Sequence, residues 1–406
     1  MIELKAFKAL RPSAKYVDKI TVPPYDVLSE EDIKEYAKDK NSMIHVIRSE
    51  VNFKEIDPYS IEVYESARDY LKDLLDRGVI FEDDEALYIY TETLGGKSQS
   101  GIVGLVNVKN YIEKDIKVHE LTLKEKELDR TNHFYHMKVQ DEPVFLFHKR
   151  NEELKNLLLE YFNKNAPVVD FDDEFEVNHK LHKIDDRVLI NKIEKIFKDT
   201  DNLYIADGHH RTASIATVCK KLREEGEKSG ESNYLMATIF PEDELNILAY
   251  NRVVKDLNGI TEEEFLNRLK DNFKVTKLSS VESPKTKNNF TLILKDSCYN
   301  IEYIGERNFS TYAESLDVSI LQDYILESVL DIKDIRTDKR IEFYGGFTSE
   351  DKIIDKIEKG YALGILLYPV SSKDIIEISN RDEIMPPKST WFEPKLRSGL
   401  FMHKLI

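Results

Sequence analysis

The residues with the most chemical promise are Ala206-Asp207-Gly208-His209-His210-Arg211. An apolar run, 202–206, reads as a buried strand, and an alanine-rich stretch, 212–223, reads as a helix. Between them Gly208 lets the backbone turn tightly. A helix start offers N–H groups with no intrahelical acceptor and the positive end of the helix dipole. Two histidines and an arginine beside those donors suit phosphate, which asks for backbone N–H groups, an arginine fork and a carboxylate for Mg2+. Gly208, His209, His210, Arg211 and Thr212 are therefore the candidate phosphate-holding residues. Asp207 either holds a divalent cation or orients a histidine. The plain structural alternative is a helix with a capped and charged first turn.

Two further blocks carry reactive side chains. His119-Glu120, followed by Asp129-Arg130, pairs an imidazole with a carboxylate and suits acid–base work. Neighbouring strand residues point to opposite faces, so a surface pair is the competing reading. The segment 385–399 sets Lys388, Ser389, Lys395 and Arg397 in a proline-stiffened loop. It reads equally as a site-building loop and as a strap packed by Trp391 and Phe392. Eight of the ten histidines lie between His119 and His210. Of these, His148, His179 and His182 read as surface residues. His133 and His136 share a helical face and also suit zinc, with no third ligand identifiable.

Several elements must position these residues. Pro23 and Pro24 forbid regular helix, so Val22 to Val27 is a turn, with Tyr25 and Asp26 in it. Ser29 and Asp32 form a capping-box pattern for a helix reaching about Lys38. The stretch 60–75 is a second helix, with Ile61, Tyr64, Ala67, Leu71 and Leu74 on one face. The runs 86–93 and 101–108 flank Gly95-Gly96-Lys97 as a β-hairpin. Further strands are expected at 144–147, 234–240, 290–294 and 361–368, and helices at 152–163 and 318–330. Gly345-Gly346-Phe347 precedes a helix capped by Thr348 or Ser349 and is a weaker candidate anion site. Neither glycine pair completes a Gly-x-x-x-x-Gly-Lys-Ser/Thr loop. The chain is a mixed α/β (α+β) protein. Three consecutive subdomains are expected: 1–150 with the hairpin and His-Glu block, 151–280 with the strand–turn–helix, and 281–406 with the cationic tail.

Composition narrows the function. The chain has 406 residues, 76 acidic and 59 basic, for a net charge of −17. That balance opposes indiscriminate nucleic-acid binding, which neutralises phosphates with cations. Two cysteines, Cys219 and Cys298, exclude a disulfide scaffold and a cysteine-rich zinc module. No apolar run approaches the ~20 residues of a membrane helix, and the N-terminus lacks a signal-peptide plan. A cytoplasmic protein with no membrane partner is expected. Homo-oligomerisation is compatible with the sequence.

Val22-Pro23-Pro24-Tyr25-Asp26-Val27, His119-Glu120 with Asp129-Arg130, the Asp207–Arg211 block and Met385 to Gly399 together resemble the domain-of-unknown-function family 1015. The Gly-His-His-Arg core also resembles the ParB/sulfiredoxin-like superfamily, whose strand–turn–helix presents the motif to nucleotide phosphates. His209 stands where sulfiredoxins carry cysteine, and Cys219 lies well into the helix, which removes sulfiredoxin chemistry. The partition proteins' Gly-Glu-Arg-Arg core is missing. The free-serine kinase branch resembles Asp-Gly-His-His-Arg as written here.

This resemblance implies a ParB/sulfiredoxin-like nucleotide-binding core elaborated with extra α/β subdomains. It implies phosphoryl transfer from ATP or ADP, with Mg2+, to the hydroxyl of free serine, and a place in serine metabolism. Asp207 would hold Mg2+ or fix His209, and the helix start with His209, His210 and Arg211 would hold phosphates. Lys388, Ser389, Lys395 and Arg397 would complete that pocket, and His119, Arg130, Tyr25 and Asp26 would bind substrate. Kinases of that branch use an upstream glutamate, for which Glu120 is the first candidate and Glu30 the second. A nucleotide-binding sensor and a phosphohydrolase are the alternatives that the same pocket allows.

Overall fold

The computed structural model describes residues 1–306 and 308–406. It is a mixed α/β protein with several sheets. The described residues group into two compact units. The first comprises Met1–Lys117, Thr122–Leu245 and Pro394–Ile406, and the second Val118–Leu121 and Asn246–Glu393. Each unit is assembled from separated stretches of chain, which a division into consecutive blocks does not represent.

The first unit is built on a nine-stranded sheet. Its strands are β1 (Leu4–Lys5), β2 (Leu87–Leu94), β3 (Lys97–Asn107), β4 (Ile116–Lys117), β5 (Val144–His148), β6 (Val169–Asp172), β7 (Asn178–Ile184), β8 (Leu203–Asp207) and β9 (Tyr234–Pro241). The order is β4-β8-β5-β9-β3-β2-β7-β6, with β1 also paired to β3. β2 and β3 form the hairpin expected around Gly95-Gly96, and both glycines have positive φ. β5 reads Val-Phe-Leu-Phe-His and is buried at every position, as a strand with neighbours on both sides should be.

Helices follow the sequence signals closely. α1 (Glu30–Tyr36) opens with the expected Ser29–Asp32 capping box. α2 (Ile61–Asp76) buries Val63, Tyr64, Ala67, Leu71 and Leu74, while Ile61 stays exposed. α3 (Lys124–Met137) carries Arg130 and His133 on its buried side. α4 (Glu152–Lys164) is capped by Asn151. α5 (Arg187–Lys198) absorbs Val188-Leu189-Ile190 into its first turn, capped by Asp186. α6 (His209–Glu224) begins earlier than its alanine-rich stretch and takes both motif histidines into its first turn.

The second unit holds a six-stranded sheet in the order Phe273–Leu278, Ser297–Tyr303, Asn289–Leu294, Leu363–Leu367, Asn251–Val254, Ile341–Tyr344. Every pair in it is antiparallel. The helix Ser349–Glu358 packs Ile353 and Ile357 against Val253, Ile293 and Leu366. Gly345 is explained by packing: a Cβ there would stand 2.2 Å from the Trp391 ring. The expected helix over 318–330 is α-helical only at Asp317–Leu321 and continues as a π-helix over Gln322–Glu327. Among the described residues, no helix is long and apolar enough to cross a membrane.

Phe145 sits in the middle of the first sheet, 1% exposed, with its ring 4.8 Å from that of Phe240. Truncating a buried aromatic leaves a cavity and loses about 3–5 kcal/mol. Phe145→Ala should lower the unfolding free energy by an amount of that order, read by urea unfolding.

Candidate functional site

Strand β8 delivers Asp207 in an unusual way. β8 runs antiparallel to β5, and the register slips between Ile205 and Asp207, so that Ile205 faces Leu146 and Asp207 faces Phe145. Such bulges re-aim the side chain at a strand end. Gly208 follows with φ 94° and ψ 33°, a left-handed conformation that glycine adopts freely. This one residue turns the strand into α6. A Cβ on Gly208 would lie 2.9 Å from Arg211 Nε, so the position also needs the missing side chain for room.

Arg211 folds back beneath this joint and is 3% exposed. Its Nη1 donates to the Pro143 carbonyl at 2.8 Å and lies 3.6 Å from Glu142 Oε2, while Nη2 reaches Asp207 Oδ2 at 3.3 Å. Lys395 Nζ approaches the same Asp207 oxygen at 3.3 Å. Burial opposes ionisation of Asp207, but Lys395 and Arg211 outweigh it and hold the carboxyl well below the usual range. Glu142 behaves oppositely: burial raises its pKa, and Arg211 only partly offsets this.

Glu142 ties the site to the N-terminal turn. Its Oε1 accepts the Tyr25 N–H at 3.3 Å and a hydrogen bond from the Ser398 hydroxyl. The Val22 and Ser398 backbones exchange N–H···O bonds of 3.3 and 2.8 Å. Thus the Pro-Pro-Tyr-Asp turn, the residues before β5, the start of α6 and the tail at Lys395–Ser398 converge within the first unit. Sequence reading singled out three of these four segments and missed Glu142. Its only signal was a carboxylate directly before a proline and a fully apolar strand.

Beside this cluster lies a cavity of about 320 Å3, lined among others by Tyr25, Asp26, Arg48, Asp129, Arg130 and His133. The Arg130 guanidinium sits 4.4 Å from the Tyr25 ring centre and is gripped by Asp129 at 2.8 Å. Burial works against the charge on Arg130, and Asp129 restores it. His133 Nε2 pairs with Asp141 at 2.8 Å, whereas His136 stacks on Tyr64. The two rings thus serve different partners, and the zinc reading falls. Among the described residues, no group of three or more His, Cys, Asp or Glu side chains is arranged to hold a metal ion. Asp207 is a single carboxylate, and the oxygen that meets Arg211 also meets Lys395.

Several expectations need correction. Arg211 is an internal ion-pair partner rather than an open fork. Arg397 is equally committed, at 2% exposure, to Asp173, Glu174 and the Thr21 carbonyl. Thr212 is buried, and its hydroxyl donates to the Gly208 carbonyl at 3.0 Å. His210 Nε2 accepts the Leu123 N–H at 2.9 Å, which makes that nitrogen an acceptor and ties the start of α6 to that of α3. His148, His179 and His182 are all buried, not surface residues. Glu30 opens α1, largely exposed, 3.7 Å from Arg48. His119, Glu120, Lys388 and Ser389 belong to the second unit. There the His119 carbonyl accepts the Met385 N–H at 2.8 Å, and His119 is buried. Lys388 has φ 60° and donates to the Tyr250 hydroxyl at 3.1 Å, and the Ser389 hydroxyl donates to the Pro386 carbonyl.

Two measurements check this electrostatic account. Asp207 titrates lower folded than unfolded, so its ion pairs stabilise the fold above the ordinary aspartate pKa of 3.8. That contribution is lost as pH falls through the lowered folded pKa. Asp207→Asn should therefore cost about 2 kcal/mol at neutral pH, less than a fully buried pair because Asp207 is partly exposed. The gap from wild type should shrink steadily as urea unfolding is repeated below about pH 4; a gap independent of pH contradicts it. Gly208→Ala should lose about 1–3 kcal/mol through the positive φ and the contact with Arg211, read by the same unfolding curves.

Among solved structures similar to this chain is a conserved hypothetical protein from Pyrococcus furiosus. It is 16% identical, with a TM-score of 0.38, and 74% of this chain and 94% of that chain are covered. A free serine kinase in complex with AMP is 15% identical, with a TM-score of 0.38, covering 71% and 86%. SbnI with a C-terminal truncation from Staphylococcus aureus is 12% identical, with a TM-score of 0.39, covering 73% and 85%. No curated protein matches the chain. A family match covers residues 4–319, most of the chain, and leaves the tail from Met385 outside it. The chain belongs to the family described as protein of unknown function (DUF1015).

Proposed function

We propose that this chain catalyses nucleotide-dependent phosphoryl transfer to a small hydroxyl metabolite, with free L-serine as acceptor and O-phosphoserine as product. The observation that carries this reading is the joint at Gly208. It sets a helix N-terminus, an ionised Asp207 and the Lys395 ammonium together at one strand end. The likeness of Asp207–Arg211 to the free-serine kinase motif supports the same reading.

Phosphoryl transfer needs charge neutralisation and alignment more than covalent help. The first turn of α6, with His209, and Lys395 supply donors and positive charge for the phosphates. Magnesium, when it comes with ATP or ADP, spreads the phosphate charge, and Asp207 is the carboxylate suited to meet it. Arg211 acts through Asp207: its buried guanidinium keeps that carboxylate ionised and fixed. The cavity between Tyr25 and Arg130 carries both signs of charge, through Arg48 and Arg130 and through Asp26 and Asp129. That suits a zwitterion of amino-acid size, because an ammonium and a carboxylate each find a partner. Glu30, in the first unit, is the carboxylate proposed to take the hydroxyl proton.

The test incubates the purified protein with Mg2+, ATP or ADP and the twenty free amino acids, and reads products by mass spectrometry. Phosphoserine should form, and Asp207→Ala should abolish it. Glu30→Gln should lose about 10²–10⁴-fold in turnover while still binding nucleotide. Nucleotide binding without any product would replace this reading by a sensor. Phosphate release without an amino acid would replace it by a phosphohydrolase. A protein that neither binds nucleotide nor makes product overturns all three.

A further inference from the structure

Among the described residues the buried arginines are Arg11, Arg130, Arg211, Arg252 and Arg397. Four of them pair with a carboxylate: Arg11 with Asp83, Arg130 with Asp129, Arg211 with Asp207 and Arg397 with Asp173. Arg252, in the second unit and 1% exposed, has no described carboxylate beside it. It stands on the strand Asn251–Val254, between Ile341–Tyr344 and Leu363–Leu367. Asn251 and Val253 face the helix Ser349–Glu358, the first through the Ser349 hydroxyl and the second through Ile353. Side chains alternate along a strand, so Arg252 lies on the other face. There its Nη1 donates to the Tyr250 carbonyl at 2.8 Å and its Nη2 to the Lys388 carbonyl at 3.4 Å. The Phe343 ring centre lies 5.5 Å from the guanidinium carbon. Nε is buried and has no hydrogen-bond partner.

A charge taken out of water without a countercharge is costly. Burial accordingly pulls the Arg252 guanidinium down to about 10, and no carboxylate restores it. Two carbonyls and an aromatic face offset only part of that cost. Nε–H and the neighbouring Nη2 form one edge of the planar group, an edge that can hold both oxygens of a carboxylate. On this edge Nε–H is unmet, and the Nη2 bond of 3.4 Å is longer than the usual range of about 2.7–3.2 Å. The carbonyl that accepts it belongs to Lys388, an exposed residue with φ 60°. That left-handed conformation is costly for a residue other than glycine.

We propose that Arg252 anchors a carboxylate-binding site in the second unit, where the two ligand oxygens meet Nε–H and Nη2–H and one of them takes the place of the Lys388 carbonyl. A monoanion balances the single guanidinium charge. A dianion would leave a net negative charge against Phe343 and the sheet, which the surroundings oppose. The site is independent of the proposed phosphoryl transfer, whose residues at the Gly208 joint belong to the first unit.

The probe is sodium acetate, titrated into full-length protein carrying 15N-labelled arginine, with sodium chloride holding the ionic strength constant. The Arg252 Nε–H signal, assigned through its bonds, is followed by NMR. Acetate should move this signal downfield and saturate the shift. Sulfate should bind at least about tenfold more weakly, because its second charge stays unbalanced. Acetate should also raise the Tm of the wild type above that in chloride, and Arg252→Met should lose this difference. The proposal is overturned if acetate leaves the Nε–H signal in place, if sulfate binds as well as acetate, or if Arg252→Met keeps the acetate effect on Tm. Should that variant fail to fold, the wild-type contrast between acetate and sulfate at the Nε–H signal decides.

Discussion

A guanidinium shut away from water sets the terms for the first unit's site. Arg211 cannot release its charge, so it must be compensated inside the protein. Asp207 and Glu142 supply the compensation, and the Pro143 carbonyl takes a further N–H. Asp207 comes from one element, Glu142 and Pro143 from a second and Arg211 itself from a third. The bulged end of β8, the residues before β5 and the start of α6 are therefore held to one geometry. Losing any one partner would strand a buried charge, which is far costlier than losing a surface pair. The tail joins the same arrangement through Lys395 on Asp207 and Ser398 on Glu142.

This arrangement also sorts the charged residues into two kinds. Arg211 and Arg397 are spent on internal carboxylates and hold segments together. Lys395 is different: a flexible ammonium beside Asp207, at the start of α6. A lysine tolerates a change of partner better than a planar arginine fork gripped from several sides. In the proposed function the positive charge offered to a phosphate is therefore that of Lys395 and the helix dipole, while the arginine that looked most suited to phosphate from its position in the motif is held in internal ion pairs.

Much of this was legible in the sequence because the relevant physics is local. Gly208 between an apolar run and an alanine-rich run announced the strand–turn–helix. Ser29 and Asp32 announced a capping box, and Gly95-Gly96 a hairpin. The start of α6 was placed three residues late, because His209 and His210 lack the helix propensity of the alanines that follow and are held in the helix by what they contact. The roles of Glu142 and Arg397 were not legible. Glu142 is defined by Tyr25 and Ser398, and Arg397 by Asp173 and the Thr21 carbonyl, all brought near only by the fold. The histidines misled for the same reason. His148 and His179 look like polar surface residues in isolation, yet the sheet buries both and the fold supplies a carbonyl or a carboxylate for each.

The net charge of −17 bears on the proposed function, which asks a chain this acidic to accept a phosphate-bearing ligand. At physiological ionic strength the Debye length is about 8 Å, so exposed acidic side chains more than a helix diameter away contribute little. What the anion meets is set by its immediate neighbours, and those are weakly screened because they are partly buried. At the Gly208 joint the neighbours are a helix N-terminus and the Lys395 ammonium, with the Asp207 charge already divided between Lys395 and Arg211. The acidic exterior then acts against long polyanions, which must lie across many carboxylates, and hardly against a small anion that touches only the joint. A strongly acidic chain and the proposed nucleotide pocket are thus compatible, and the distance over which water and salt screen charge is what separates them.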